Sequence, residues 1–289
     1  MGLNMHTILD AIGNTPMLSI QGVKVKLEYM NPSGSIKDRI AKHIIERAEK
    51  SKLLKRGYRV VEATSGNSGI AFSMVCAVKG YEMVVIMPKG LSRERKKIMR
   101  YFGAKIIEVP RWKGVKGAVA REEKYNKKCY CVKQFENRWN IEAHYKTGKE
   151  ILEKGRVDAF VAGVGTGGSL IGIGKVLKKK YPKCKVYALE PEECSPMTGS
   201  SCGKHGIEGI GDGFIPKIIQ DNDKIIDGVL TVKTKDAVKM SKKLAKKGFF
   251  VGISSGANFL GALRVKRMHK NVVTLFPDSG DRYLSELFK

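Results

Sequence analysis

The sequence predicts an α/β protein in which helices cover both faces of mostly parallel sheets. Short β-branched runs alternate with helix-period segments along almost the whole chain, and glycine- or serine-rich loops recur where one hands over to the next. At least one run, Asp158–Val164, is apolar nearly throughout, as a strand buried on both faces requires. Alternation of this kind builds parallel sheets.

The elements follow in order. Val23–Met30 reads as a strand, and Ile36–Lys50 carries helical periodicity. Tyr58–Ala63 is a strand and Ser68–Lys79 a helix, then Met83–Met87 a strand and Ser92–Phe102 a helix. Ala104–Val109 is a strand, Val115–Asn126 a helix, Tyr130–Phe135 a strand and Ile141–Glu153 a helix. After the Asp158–Val164 strand come the helix Ser169–Lys180 and the strand Lys185–Glu190. Glu192–Lys224 breaks the rhythm; its Gly, Ser and Pro content predicts loops near a site. The pattern resumes with the strand Gly228–Val232, the helix Thr234–Lys247, the strand Phe249–Ile253, the helix Ala257–Met268 and the strand Val272–Phe276. No repeat and no low-complexity linker interrupts it.

Composition narrows the class. A length of 289 residues suits one or two domains, and 42% hydrophobic residues supply a substantial core. No apolar stretch reaches the roughly 18–20 residues of a membrane helix. Met1–Asp10 shows no basic leader before an apolar core, so a cytoplasmic location is expected. Of the six cysteines, Cys129 and Cys131 alternate on one face of a strand and none forms a Cys-x-x-Cys pair; reduced thiols are the expectation. The five histidines show no ligand spacing, so no metal is expected. The net charge of +26 raises a nucleic-acid reading. Its lysines lie along helices without interleaved aromatics, as in Lys178–Lys180 and Lys242–Lys247, so a solvated basic surface is expected, with no specific nucleic-acid partner.

Four loops carry chemistry. In the first, Asn31–Arg39, Lys37 falls in the first turn of a helix, where partial burial would lower its pKa and favour imine formation; alone it is one surface lysine among many. In the second, Thr64-Ser65-Gly66-Asn67-Ser68-Gly69, hydroxyls, an amide and helix-start N–H groups suit a carboxylate, or form a capped turn. The third, Gly163-Val164-Gly165-Thr166-Gly167-Gly168-Ser169, is a phosphate cradle that also spells G-x-G-x-x-G, with Glu190 near the place of a dinucleotide fold's ribose-binding acid. An NAD-binding oxidoreductase therefore competes. The fourth, Gly252-Ile253-Ser254-Ser255-Gly256, spells a hydrolase elbow, but only His269 follows it and no acid lies between, so the triad order fails.

The four loops in this order resemble those of the tryptophan-synthase-β class of pyridoxal-phosphate (PLP) enzymes, fold type II, closest to cysteine synthase (O-acetylserine sulfhydrylase) and cystathionine β-synthase. The resemblance runs from Ile12-Gly13-Asn14-Thr15-Pro16 to Phe276–Leu284, nearly the whole chain. It implies pyridoxal 5'-phosphate as cofactor, held by Lys37 as a Schiff base, with Lys37 also shuttling the α-proton. It implies that Asn67 meets the phenolic oxygen, that Gly165, Thr166, Gly167, Gly168 and Ser169 bind the phosphate, and that Ser254 faces the ring nitrogen. Thr64, Ser65, Asn67, Ser68 and Gln134 would hold a substrate carboxylate. The implied reaction is β-replacement on an O-activated L-serine, through an α-aminoacrylate, with sulfide giving L-cysteine; amino-acid substrates and a homodimer are the implied partners. Two three-layer α/β domains are implied, residues 35–138 small and mobile, 1–34 and 139–289 large. Two departures matter. Ser68 replaces the usual threonine, which keeps the hydroxyl. Asp212, in Glu208–Phe214 at the active-site mouth, stands where a small or aromatic residue is usual, which leaves an amino-acid thiol open as second substrate, as in a cystathionine β-synthase or a sulfide-releasing β-lyase-type enzyme.

Overall fold

Residues 6–64, 66–90, 92–125 and 128–284 are described by the structure, a computed structural model. The chain opens with a hairpin, β1 (Met17–Ile20) and β2 (Val23–Lys26), turned by Gln21 and Gly22, both at positive φ. Two successive positive φ angles match the right-handed twist of the flanking strands. Next come α1 (Lys37–Lys50), β3 (Arg59–Ala63), α2 (Asn67–Lys79), β4 (Glu82–Pro88), α3 (Arg93–Tyr101), β5 (Lys105–Val109), α4 (Gly114–Glu122) and β6 (Cys129–Cys131). The second half holds α5 (Arg138–Leu152), β7 (Ala159–Gly163), α6 (Gly168–Lys180), β8 (Lys185–Pro191), the one-turn α7 (Lys217–Gln220), β9 (Gly228–Val232), α8 (Thr234–Ala245), α9 (Ile253–Val265) and β10 (Val272–Leu275).

These strands form two sheets. One has six strands in the order β1-β2-β10-β7-β8-β9, parallel except for the hairpin; the other has four parallel strands in the order β5-β4-β3-β6. Alternate residues feed opposite cores. Ala159 and Val161 of β7 pack with α8 and α9, while Phe160 and Ala162 pack against α5 and α6. In the smaller sheet Met83, Val85 and Met87 meet α1 and α2, whereas Val84 and Ile86 meet α4. Burial of both faces explains why the strands read as continuous apolar runs.

The boundaries depart from the sequence pattern in four places. β2 ends at Lys26, because Glu28–Met30 turn into a 3₁₀ helix that buries Glu28. The Tyr130–Phe135 strand shrinks to Cys129–Cys131, since Lys133 takes φ +54° and turns the chain inward. The Phe249–Ile253 strand is absent; only Val251 makes a bridge, to Ser279, and α9 begins at Ile253. α4 ends at Glu122, and Asn126 lies outside the described residues. Within 192–224 the chain makes turns, two 3₁₀ segments and α7. The expectation of six reduced thiols is corrected here. An antiparallel bridge brings Cys194 against Cys202, and the two form a disulfide; Cys76, Cys129, Cys131 and Cys184 are free thiols. The pairing closes a loop between residues eight positions apart, which Cys spacing alone does not announce. Among the described residues no helix is long and apolar enough to cross a membrane.

Candidate active site

All four chemical loops reach one pocket. Lys37, Thr64, Asn67, Ser68, Gln134, Gly165, Thr166, Gly167, Ser169, Asp212 and Ser254 line it. Ser65 lies outside the described residues, and Gly168 sits behind the lining. A Cβ on Gly168 would fall 1.9 Å from Asn140 Oδ1, so its hydrogen lets α6 pack on that amide. The pocket opens between the sheets: Thr64–Ser68 follow β3 of the smaller sheet, and Val164–Ser169 follow β7 of the larger. Ligands of parallel α/β folds collect at such strand ends.

Lys37 is the first residue of α1. Its N–H meets Ser35 Oγ at 3.3 Å, and Ile36 N donates to Pro277 O at 2.8 Å, which docks the helix start on the larger sheet. Burial lowers the Lys37 pKa; the charges of Asp212, Asp278 and Glu62 act in the opposite sense. No carboxylate pairs with its ammonium within 4 Å among the described residues. A desolvated amine without a salt bridge is suited to be a neutral nucleophile and base.

Across the pocket the cradle presents backbone. A Cβ on Gly165 would lie 2.3 Å from Gly209 O, and Gly167 has φ +85°, so both positions need glycine. Asn140 Nδ2 donates to Thr166 Oγ1 at 2.9 Å and to Gln134 O at 2.8 Å, tying the cradle to the turn after β6. Gly168 N donates to Thr166 Oγ1 at 3.4 Å, and Gly167 has no side chain to cap α6, so the following helix-start N–H groups remain for an anion.

On the other wall Thr64 Oγ1 accepts from Gly66 N at 3.0 Å and keeps its proton for a ligand. Ser68 Oγ donates to Gln134 Oε1 at 2.6 Å, and Gln134 Nε2 donates to Ala63 O at 2.9 Å. The Asn67 amide is oriented from both ends: Oδ1 accepts from Arg282 Nη1 at 2.8 Å and Nδ2 donates to Asp278 Oδ2 at 2.6 Å. One Nδ2 hydrogen is left for a ligand. Ser254 lies in the first turn of α9 and is 4% exposed. It is helical rather than perched on an elbow, and His269 is bonded to Tyr187 OH at 3.1 Å, away from it. Glu190 does not line the pocket; it is buried, accepts from Met197 N at 3.1 Å, and burial raises its pKa to about 7. Both the hydrolase and the dinucleotide readings lose their acid or base here.

Asp212 faces the same pocket as Lys37. Burial raises its pKa, and the charges of Lys37 and His205 oppose the rise. Among the described residues its carboxylate caps no N–H of its own loop.

Sequence reasoning missed several contributors. Arg95 of α3, 2% exposed, pairs with Glu208, stacks its guanidinium 4.8 Å over Tyr283 and packs on Gly66. Asp278 and Arg282 orient Asn67; they stood in a recognised motif, but nothing local told what they touch.

The residues fit pyridoxal phosphate: the half-buried Lys37 amine, its pKa lowered by desolvation, and a helix start that Gly167 does not cap share one pocket. Comparisons agree. The model of a family described as pyridoxal-phosphate dependent enzyme matches residues 8–278. A cysteine synthase of Staphylococcus aureus is 43% identical over 97% of this chain and 96% of its own length. A hydrogen sulfide-producing enzyme of Fusobacterium nucleatum superposes with a TM-score of 0.92 at 42% identity, covering 97% of this chain and 90% of that one. An O-acetylserine-dependent cystathionine β-synthase of Helicobacter pylori gives 0.92 at 35% identity, covering 99% of each.

Proposed function

The chain belongs to the family of pyridoxal-phosphate-dependent enzymes, and from that premise we propose that it is a cysteine synthase-like transferase. The reaction is β-replacement on an O-activated L-serine such as O-acetylserine, with sulfide as acceptor and L-cysteine as product. The observation that carries this reading is Lys37, half-buried, its pKa lowered by desolvation, and without a carboxylate partner among the described residues, in one pocket with the start of α6.

When bound, the cofactor supplies an electron sink that acidifies the α C–H and lets a β-substituent leave. Lys37 Nζ holds the cofactor, then takes and returns the α-proton. Gly165, Thr166, Gly167 and Ser169 receive the phosphate through N–H groups, two hydroxyls and the helix dipole, and Gly168 keeps the helix start close. Asn67 gives its remaining amide hydrogen to the phenolic oxygen. Thr64, Ser65, Asn67, Ser68 and Gln134 take the substrate carboxylate; Ser68 must turn away from Gln134 to donate. A ligand held by the loop after β3 and by the cradle after β7 spans both sheets, so its binding would draw residues 35–138 toward the rest and exclude water. The homodimer and cytoplasmic setting expected from the sequence belong to this proposal; sedimentation reads the first directly.

Borohydride reduction of the holoenzyme followed by peptide mapping tests the reading. The label should sit on Lys37, and a label on another lysine ends it. A panel crossing O-acetylserine, O-phosphoserine, serine and cysteine with sulfide, cysteine and homocysteine then fixes donor and acceptor.

Ser254 would offer the cofactor's ring nitrogen a hydroxyl rather than a carboxylate. Ser254→Ala should keep the cofactor bound and slow turnover by about tenfold, near 1.4 kcal/mol of barrier. Covalent capture of Ser254 by a serine-hydrolase probe would contradict the assignment.

Asp212 favours a second reading, in which the acceptor is an amino-acid thiol. A carboxylate beside Lys37 repels anionic sulfide but pairs with an α-ammonium group, worth about 1.5–3 kcal/mol, or about tenfold to a hundredfold in selectivity. Its raised pKa also suits a base for the incoming thiol. Asp212→Ala should lose cysteine and homocysteine as acceptors and keep sulfide. Equal losses with both would leave Asp212 a structural role.

A further inference from the structure

A groove lies beside the active pocket and shares Glu208, Gly209, Ile210 and Asp212 with it. Both sulfurs of the Cys194–Cys202 disulfide belong to residues that line this groove. The two differ in access: Cys194 is 2% exposed and Cys202 is exposed. Cys194 Sγ stands 3.6 Å from Gly211 O, the carbonyl of the residue before Asp212. A disulfide sulfur has no proton to offer that carbonyl, whereas a thiol has one. His205 Nε2 already reaches Gly211 O at 2.8 Å while His205 Nδ1 accepts from Ile207 N at 3.3 Å, which sets the ring proton on Nε2.

We propose that Cys194–Cys202 is a thiol-exchange site at the mouth of the active pocket, opened by small thiols. A thiolate attacks Sγ of exposed Cys202; its S–S bond to Cys194 breaks, and Cys194 leaves as a thiolate that takes a proton from solvent. A second thiolate attacks the outer sulfur of the mixed disulfide and releases Cys202 as a thiolate, which is protonated. In sum the protein disulfide and two small thiols give two protein thiols and one small disulfide. Burial selects the order: the attacked sulfur is the reachable one, and the departing one receives an acceptor at Gly211 O. Reduction frees residues 195–201 from their ring and gives the carbonyl before Asp212 a second donor. The setting of Asp212 therefore follows the redox state. That these thiols are the ones the reaction consumes and makes rests on the function proposed above; the exchange chemistry does not.

The test uses native holoenzyme equilibrated with graded cysteine/cystine ratios, quenched in acid, alkylated and mapped by mass spectrometry. Cys76, Cys129, Cys131 and Cys184 should be free thiols throughout, while Cys194 gains label first and Cys202 on full reduction, taking the protein from four thiols through five to six. A peptide carrying cysteine on Cys202, and none on Cys194, should appear at intermediate ratios. The KM for the acceptor should shift with reduction while the donor half-reaction holds its rate, and Cys202→Ser should show the reduced value at every ratio. A disulfide that resists cysteine until the protein unfolds, or an adduct on Cys194, overturns the site. Exchange with an unchanged acceptor KM, read for whichever acceptor the substrate panel identifies, overturns the link to Asp212. Exchange in a protein without β-replacement activity sinks the proposed function and leaves the exchange site standing.

Discussion

Lys37→Ala should fold, retain cofactor by the phosphate cradle alone and turn over about 10³-fold more slowly than the wild type. The variant removes Nζ and the three methylenes that carry it, and with them the two duties proposed for that amine: holding the cofactor covalently and moving the α-proton. Positioned general acid–base groups contribute typically 10²–10⁴ in rate, and loss of the covalent link adds to that. Burial already keeps this amine toward its neutral form, so no other lysine need be tuned for the task. Single-turnover kinetics with O-acetylserine measure the loss, and borohydride should leave the variant unlabelled. Turnover within about tenfold of wild type would remove Lys37 from the chemistry. Added methylamine should restore part of the proton transfer, a rescue that a folding defect would not show.

The second large effect concerns stability. Two residues beyond Lys37, Arg39 is held among buried acids. Its guanidinium meets Glu28 at 2.6 and 2.8 Å and Glu150 at 2.7 and 2.8 Å, and Lys26 reaches Glu150 at 2.7 Å. Arg39 is 5% exposed, Glu28 0%, Glu150 7% and Lys26 2%. Arg39→Met leaves carboxylates buried against one remaining cation, at a cost of about 3–5 kcal/mol. Urea denaturation at pH 7 reads it, and a loss below about 1 kcal/mol, the scale of an exposed pair, would show that the site is solvated. The pH dependence has a definite sign. Burial alone would raise the Glu150 carboxyl, but the hydrogen bonds and charge of Arg39, with Lys26 and the Asn14 N–H, outweigh it and hold the pKa at about 2. A depressed folded pKa contributes stability that is present above the unfolded value of about 4.5 and is lost as pH falls toward about 2. In Arg39→Met that depression is gone, so protonation relieves the buried charge at higher pH. The gap between variant and wild type should narrow on acidification.

The strand–helix rhythm was legible because both sheets are buried on both faces, which imprints apolar runs such as Met83–Met87 and Phe160–Ala162. β1 was not: Met17–Ile20 is only four residues long and its exposed residues, Leu18 and Ser19, are adjacent rather than alternating, so neither periodicity marks it. α9 was read as starting at Ala257, since Gly252–Gly256 look like a loop in composition. In the fold they pack tightly; a Cβ on Gly256 would lie 2.3 Å from Ala237 O. The pocket's donors declared themselves through local spelling, Gly165–Ser169 above all. Its organisers did not. Asn67 is fixed by Arg282, 215 positions away, and Arg95 by Glu208 and Tyr283. Cys194 and Cys202 likewise meet only because the loop between them folds back. Contacts of this kind are products of tertiary closure and leave no trace in a window of neighbours.

The short hairpin has a consequence for how the molecule meets its own copies. A long parallel sheet ending at β2 would present a row of unpaired N–H and C=O groups, a template for another chain's strand. β1 runs antiparallel along that edge and is four residues long, so the border it leaves is brief. The smaller sheet is blunted by other means: β6 is three residues long, and on β5 Lys105 and Glu108 are exposed. The edges at β1, β6 and β5 thus offer little template for a strand of another copy, which works against fibre-like stacking at the crowding of a cell.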